Sequence, residues 1–264
     1  MQRFTYLNGS VKNGNILRWP INSLVVYIAP MKFYSKQGED SKYRKMVMDA
    51  FSTWSAASNG KLRFKITNTL LESNINVDWK RVDRKALGHC YFNFDAQGRL
   101  YGAEVSIGLT DGRIHQQYDS DSEVYHTILH EVGHSLGLQH SPYKTDIMYT
   151  PHQYGISSLS ANDKYSIEWL YRLPCGASVK QIASKYSIQT STDIDAVIRH
   201  IDKKNNNVST SFGQNLQIVT HRDLLQESEN IGDLKRYNML LQNISIAPKV
   251  KNYLNNNRNQ PTDS

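Results

Sequence analysis

The sequence predicts an α/β (α+β) fold: a mixed, twisted sheet with one long helix in the N-terminal half, a second long helix near residue 130, and a small, mostly helical C-terminal region. Three observations support this fold. Several short β-rich runs precede residue 110, two long segments show helical periodicity, and no strand pattern of similar quality follows Pro174. Strands interrupted by long helices are typical of a sheet covered by helices.

The strands are predicted from short runs that alternate apolar and polar residues or concentrate β-branched and aromatic residues. Turn-like residues such as Asp95-Ala96-Gln97-Gly98 separate two of the runs. The candidate strands are Leu24–Ile28, Leu62–Ile66, Ile75–Trp79, Ala86–Phe94 and Ala103–Ile107.

Two helices are predicted from apolar residues that recur at three- and four-residue spacing. The first spans Lys42 to Ala57, and the second spans Glu123 to Leu138. In the first helix such spacing predicts one buried face, formed by Val47, Ala50, Phe51 and Trp54.

The composition changes after Pro174, where we place a domain boundary. Residues 1–174 form the predicted main domain, residues 175–251 a small helical accessory region, and residues 252–264 an Asn-rich disordered tail. Helices in the accessory region are predicted at Asp193–Ile201, His221–Glu227 and Ile231–Leu241.

Charge and composition narrow the class of protein. The net charge is +7, but Lys and Arg are scattered, which favours a solvated basic surface over a specific nucleic-acid or acidic-membrane partner. No apolar run is long enough to span a membrane, and residues 1–10 contain no stretch that resembles a signal peptide. The two cysteines, Cys90 and Cys175, exclude a disulfide framework and leave open either one bridge or two free thiols.

The strongest functional signal is the pattern His130-Glu131-x-x-His134-x-x-Gly137-x-x-His140. Residues four apart share one face of a helix, so His130 and His134 can bind the same ion. Gly137 permits a turn that a Cβ would penalise, and this turn can return His140 as a third ligand. Three neutral imidazoles leave one coordination position open, which predicts one catalytic Zn²⁺ rather than a closed structural site.

Glu131 lies beside these histidines and is predicted to act as the general base on a water at that ion, then to pass the proton to the leaving amine. Chance occurrence of the whole pattern in this composition is on the order of 10⁻⁵ per chain. One alternative is that these histidines only pack in the core or face solvent. The other is a zinc site without catalytic turnover, but such a site has no structural need for a carboxylate at Glu131. The pattern therefore predicts a zinc-dependent endopeptidase that hydrolyses internal peptide bonds of proteins.

Further residues give the chain a resemblance to the metzincins, and within them to the matrixins. Ser141 follows the histidine pattern directly, and Asp146-Ile147-Met148-Tyr149 resembles the Met-turn, in which Met148 would form an apolar floor beneath the histidines. The segment Leu159–Tyr171 resembles the closing helix of the matrixin catalytic domain. The resemblance covers roughly residues 18–171 and implies a metzincin-like sheet with an active-site helix.

The resemblance also implies residues that bind the substrate. Leu87-Gly88-His89 resembles an edge strand that pairs with an extended peptide. Pro151 and Tyr154 are similar to the matrixin segment that forms a wall of the S1′ pocket, which would favour a hydrophobic residue just after the cut.

The chain departs from the matrixin pattern at the second, structural zinc site. Arg81 stands where the first histidine of that site is expected, so only one zinc is predicted. Calcium remains an alternative at acidic loops such as Asp119 and Asp121, where an ordinary solvated loop is the favoured interpretation.

Arg172-Leu173-Pro174-Cys175-Gly176 resembles the cysteine segment that blocks matrixin zymogens, although here it follows the domain. A thiolate is a competent zinc ligand, so one hypothesis is that Cys175 limits access to the site; the alternative is a free thiol in a linker. The family resemblance favours a secreted, extracellular protein, while the compartment and the oligomeric state stay open. The alternative function is a non-catalytic zinc-fold protein that binds a partner through its basic C-terminal region.

Overall fold

The computed structural model describes residues 3–31, 38–81, 87–109, 118, 120–189 and 192–212, with side chains up to residue 204 in the last range. Residues 1–208 form one compact unit, and residues 209–264 are assigned to a second. The helices predicted at 221–227 and 231–241 and the tail predicted at 252–264 lie outside the described residues.

The main sheet has five strands in the order β4-β3-β5-β7-β6, and β6 is its only antiparallel strand among the described residues. A separate hairpin, β1 (Val11–Lys12) and β2 (Asn15–Ile16), precedes it. The strands of the main sheet are β3 (Ser23–Ile28), β4 (Arg63–Thr67), β5 (Ile75–Arg81), β6 (Gly88–Phe94) and β7 (Leu100–Leu109). The mixed sheet of the predicted α/β fold is confirmed.

Helix α1 (Glu39–Ala57) buries the face that its sequence predicts, since Val47, Ala50, Phe51 and Trp54 are all at most 1% exposed. Helix α2 (Asp121–Ser135) packs beside it. Two indole N–H groups hold α2 in place. Trp54 Nε1 donates to the Leu129 carbonyl oxygen at 3.0 Å, and Trp19 Nε1 donates to that of Ser135 at 2.8 Å.

Three further helices follow: α3 (Ala161–Leu170), α4 (Val179–Lys185) and α5 (Ile194–Phe212). Helix α3 begins with a capping box, in which Ser160 and Asp163 satisfy each other's backbone N–H groups. No helix of the described residues is long and apolar enough to cross a membrane.

The first helices after Pro174 pack on the same hydrophobic core as the sheet. Val179, Ile182, Ile194 and Val197 are at most 2% exposed and belong to the cluster that also contains the sheet residues. The buried Asp195 carboxylate accepts the backbone N–H groups of Leu7 at 2.7 Å and Asn8 at 3.1 Å. The boundary at Pro174 stays a prediction about domain organisation, and across it the described residues share one core.

Candidate active site

Helix α2 brings His130 and His134 onto one face, where their Nε2 atoms lie 3.1 Å apart. The ring centroid of His140 lies 4.8 Å from that of His134 and 5.4 Å from that of His130. One ligand atom from each ring lies within 4.8 Å of the others, and among the described residues this is the one group of His, Cys, Asp and Glu side chains that could hold a metal. The three predicted ligands therefore converge on one point.

Backbone carbonyls orient the two helical imidazoles. His130 Nδ1 lies 2.7 Å from the Ile147 carbonyl oxygen, and His134 Nδ1 lies 2.8 Å from that of Leu138. Because a carbonyl only accepts, each Nδ1 carries the proton and each Nε2 keeps a free lone pair. Burial lowers the pKa of all three histidines, to about 4 for His134, and so favours the neutral form that binds metal.

The return of His140 depends on how α2 ends. Gly137 N–H donates to the His134 carbonyl oxygen at 2.9 Å, and Leu138 N–H donates to that of Gly133 at 3.1 Å. This pair of bonds is a Schellman motif, which requires a left-handed residue after the C-cap, and Gly137 has φ +99°. A Cβ at Gly137 would also lie 2.5 Å from the Leu17 carbonyl oxygen, so only glycine fits this turn.

Met148 lies beneath the turn of α2 that carries both histidines. It is fully buried, and a Cβ added at Gly133 would collide with its Sδ and lie 3.0 Å from Trp54 Cζ2. Ser141 N–H donates to the Met148 carbonyl oxygen at 2.8 Å, which ties this segment to the residue after His140. Met148 thus packs against Gly133, which lies between His130 and His134 on α2, and its role as the Met-turn floor stays a prediction.

Glu131 is 7% exposed and lines the same cleft as the histidines. Burial raises the pKa of its carboxyl to about 8. The backbone of β6 passes directly over it, because a Cβ added at Gly88 would lie 2.7 Å from Glu131 Cγ and 2.9 Å from Thr127 Cγ2. Glu131 is thus held between its helix and the first residue of the strand.

The cleft has a volume of about 540 Å³ and contains all three candidate ligands together with Glu131. Leu87, Gly88, Pro151 and Tyr154, the predicted substrate-binding residues, also line it. The remaining lining residues are His89, Cys90, His126, Thr127, Tyr149, Thr150 and His152. Six of the nine histidines of the chain therefore surround one cavity.

Two other sequence predictions fall on residues that do not line the cleft. Cys175 is a free thiol with its Sγ 4.0 Å from the Arg18 carbonyl oxygen. The other free thiol, Cys90, does line the cleft. Asp121 forms an exposed ion pair of 2.7 Å with Lys42, and Asp119 lies outside the described residues. The proposed roles of Cys175 in latency and of these aspartates in calcium binding stay predictions.

A polar cluster beside the cleft, formed by Glu123, His126 and His152, was not predicted from the sequence. His152 Nε2 lies 2.7 Å from Glu123 Oε2, and the His126 and His152 ring centroids are 4.0 Å apart. The one available signal was the spacing of His126, four residues before His130 on the same helix. Nothing in the sequence indicates that His152, which is 29 residues from Glu123 in the chain, joins them.

Comparison with known proteins gives matches to one family. The matrixin family matches residues 19–172. A putative matrix metalloproteinase of Heliothis virescens ascovirus 3e is 27% identical over 68% of this chain and 43% of its own length. The probable matrix metalloproteinase 095L of Invertebrate iridescent virus 3 is 39% identical over 48% of this chain and 38% of its own. Human matrix metalloproteinase-26 is 38% identical over 33% of this chain and 37% of its own. The chain thus spans less than half the length of these relatives.

Proposed function

The chain belongs to the matrixin family, and from this premise we propose that it is a zinc-dependent endopeptidase that cuts internal peptide bonds of proteins, with Glu131 as the general base. The observation that carries the proposal is the convergence of the three imidazoles beside a buried carboxylate in one cleft. The proposed substrates are proteins or peptides, and the family favours an extracellular place of action.

The donor set fits zinc. Three imidazoles that each bring one ring nitrogen within 4.8 Å of the others match a catalytic site with an open position. The Nδ1 bonds to Ile147 and Leu138 pre-orient two of them, His130 and His134. His130, His134 and His140 would hold the ion. When bound, zinc supplies Lewis acidity toward the scissile carbonyl and the attacking water.

Glu131 would transfer the proton of the attacking water. Its carboxylate would accept a proton from the attacking water and then donate it to the nitrogen of the leaving amine, which otherwise departs poorly. The position of Glu131 supports this role, because it lines the cleft next to His130 and is packed against Gly88. A side chain held in this way moves little between the two proton transfers, which preserves the geometry that both steps require.

The edge of β6 would bind the peptide backbone. Among the described residues β6 pairs only with β7, so the backbone at Leu87 and Gly88 can pair with an extended substrate. Across the cleft, Pro151 and Tyr154 would form the wall of the pocket for the side chain after the cut. The substrate would therefore lie between β6 and the segment 149–156, with its scissile bond at the histidines.

The experiment is a cleavage assay on an unfolded protein, with product termini identified by mass spectrometry. The full chain with zinc should cut internal bonds, lose the activity with a chelator and regain it when zinc is restored. Absence of cleavage with stoichiometric zinc bound would contradict the proposal and favour the alternative of a non-catalytic binding protein.

A further inference from the structure

Two segments outside residues 19–172, the range that matches the matrixin family, are fastened to each other. One is the N-terminal segment 6–10, which contains a short 3-10 helix at Leu7–Ser10. The other is the first turn of α5, which carries the buried carboxylate of Asp195. The proposed reaction uses neither segment, and the family match does not account for their contact.

Four hydrogen bonds join the first turn of α5 to Leu7 and Asn8. Asp195 Oδ1 accepts Leu7 N–H at 2.7 Å, and its Oδ2 accepts Asn8 N–H at 3.1 Å. In return, Asn8 Oδ1 accepts Ile194 N–H at 2.9 Å, and Asn8 Nδ2 donates to Asp193 Oδ1 at 2.8 Å. Leu7 is fully buried, so loss of the Asp195 carboxylate would leave its N–H without an acceptor, which is costly. Asp195 therefore fixes the position of the N-terminal segment.

The segment 6–10 packs against the turn that returns His140 to the site. A Cβ added at Gly9 would lie 2.8 Å from Gln139 Cβ, so the segment directly contacts the residue before His140. The Ser10 carbonyl oxygen also accepts Leu17 N–H at 2.8 Å, and the Leu17 carbonyl oxygen lies against the glycine of the same turn. Displacement of the segment 6–10 would therefore move the turn that leads to His140.

A second path leads from the same segment to His130. Tyr6 OH donates to Asp163 Oδ1 at 2.7 Å, and Asp163 Oδ2 accepts Ile147 N–H at 2.9 Å. The Ile147 carbonyl oxygen accepts the Nδ1 proton of His130 at 2.7 Å. Tyr6 and Asp163 are buried, so water does not compete for these bonds. The segment 6–10 thus supports the surroundings of two of the three predicted zinc ligands.

We propose that Asp195 is a positioning residue of the zinc site, because by holding Leu7 and Asn8 it keeps the segment 6–10 against the turn before His140. The inference rests on the zinc site of the proposed function and not on the cleavage step. Removing a partner that orients a metal ligand from outside the coordination sphere commonly weakens metal binding by roughly 10- to 100-fold. Asp195 acts through one further segment, so we expect an effect at the lower end of this range.

The test measures the zinc Kd of the full chain by competition with a chromophoric chelator. Asp195→Asn keeps the size of the side chain but replaces one acceptor oxygen by an amide donor, and it should raise the zinc Kd by roughly tenfold. Asp202→Asn is the matched control, because it makes the same change on α5, where the charge of Asp202 acts on Arg3 and not on Leu7 or Asn8.

A second control separates positioning from a general loss of stability. Val26→Ala opens a cavity at a fully buried position of β3, in the core of the sheet. Both controls should bind zinc as the wild type does. A wild-type zinc Kd in Asp195→Asn, or an equal rise in Val26→Ala, overturns the inference.

Gly9→Ala tests the contact with the turn. Its Cβ should displace Gln139 while Asp195 holds the segment in place, and so raise the zinc Kd by roughly tenfold. In Asp195→Asn the segment can yield, so the same change should have a smaller effect, and equal effects in the two backgrounds overturn the inference. If Asp195→Asn does not fold, Asn8→Ala replaces it. This variant removes two of the four bonds and should raise the zinc Kd by about threefold, and an unchanged Kd overturns the inference.

Zinc binding and cleavage, measured on the same chains, distinguish this inference from the proposed reaction. If the wild type binds zinc in a way that depends on Asp195 but cuts no protein, the positioning role stands and the endopeptidase function is contradicted. If the wild type cuts with zinc bound and its zinc Kd does not depend on Asp195, only the positioning role is overturned.

Discussion

The two halves of α2 carry two polar sites, of which one could be predicted from the sequence and the other could not. The C-terminal half places His130, Glu131 and His134 within five consecutive residues, and the turn at Gly137 adds His140. The N-terminal half carries Glu123 and His126, whose partners come from the segment 149–156. The residues of the first site come from one short stretch of the chain. The second site forms only because a segment distant in the chain packs against the helix.

The difference also separates two kinds of partner. The Nε2 atoms of His130 and His134 face each other at 3.1 Å, an arrangement that a metal satisfies. His126 Nε2 is buried and has no hydrogen-bond partner among the described residues. One helix thus carries three-histidine geometry that could hold an ion and, one turn earlier, a buried polar cluster that ties the segment 149–156 to it.

Among the substitutions, Gly88→Ala should reduce activity the most, because Gly88 lies where β6 contacts both halves of α2. The new Cβ would lie 2.7 Å from Glu131 Cγ and 2.9 Å from Thr127 Cγ2, so Glu131 must shift while the histidines need not. We expect kcat/KM to fall by roughly 100-fold, as displaced catalytic groups do, with zinc binding retained. Measuring peptide cleavage and zinc content on the same preparation tests whether activity falls while zinc stays bound.

Gly102→Ala is the matched control, because its Cβ would meet only Asn93 Nδ2 at 3.7 Å. Equal activity of the two variants, or loss of zinc from Gly88→Ala alone, would show that the β6 backbone does not act on Glu131 specifically.

A smaller effect concerns the N-terminal half and the pH dependence of stability. Burial, and then the neighbouring His152, lower the pKa of His126 to about 4 from an ordinary 6.5. In the unfolded chain His126 binds a proton near pH 6.5, so stability from its neutral folded form is complete above that pH and is lost as the pH falls towards 4. Between pH 7 and pH 5 the loss from this residue is about 2 kcal/mol.

Urea unfolding of the metal-free chain at these two pH values measures the loss. The free energy of unfolding of His126→Asn should fall by about 2 kcal/mol less than that of the wild type. His200→Asn, altered at an exposed histidine, should follow the wild type. Identical pH dependence in all three chains would mean that His126 is not buried as a neutral group.

Much of the fold could be predicted because its signals are local. The buried face of α1 follows from three- and four-residue spacing, and the strands follow from short β-rich runs. The order of the strands and the antiparallel direction of β6 could not be predicted, because pairing depends on contacts between distant segments. The same holds for Asp195, whose bond to Leu7 N–H joins residues 188 positions apart.

In the candidate site, too, features set by local sequence could be predicted, and features set by contacts between distant segments could not. The convergence of His130, His134 and His140 could be predicted, because helical spacing and one glycine turn bring the three side chains together. Their role as zinc ligands and the Met-turn role of Met148 stay predictions. The tight approach of Gly88 to Glu131 and the pairing of Glu123 with His152 depend on how strands and loops pack on α2. A capping-box pattern at Ser120 and Glu123 would even have assigned that carboxylate to the helix end.

We propose that Glu131 acts as the base at a zinc site held by His130, His134 and His140, and zinc content measured together with cleavage in Glu131→Gln tests this role. Glu104→Gln, an exposed change on β7, serves as the control. The wild type and both variants should each bind one zinc per chain, while only Glu131→Gln should lose activity, by roughly 100-fold or more. Cleavage by Glu131→Gln at the wild-type rate with zinc bound would contradict the role of Glu131 as the base.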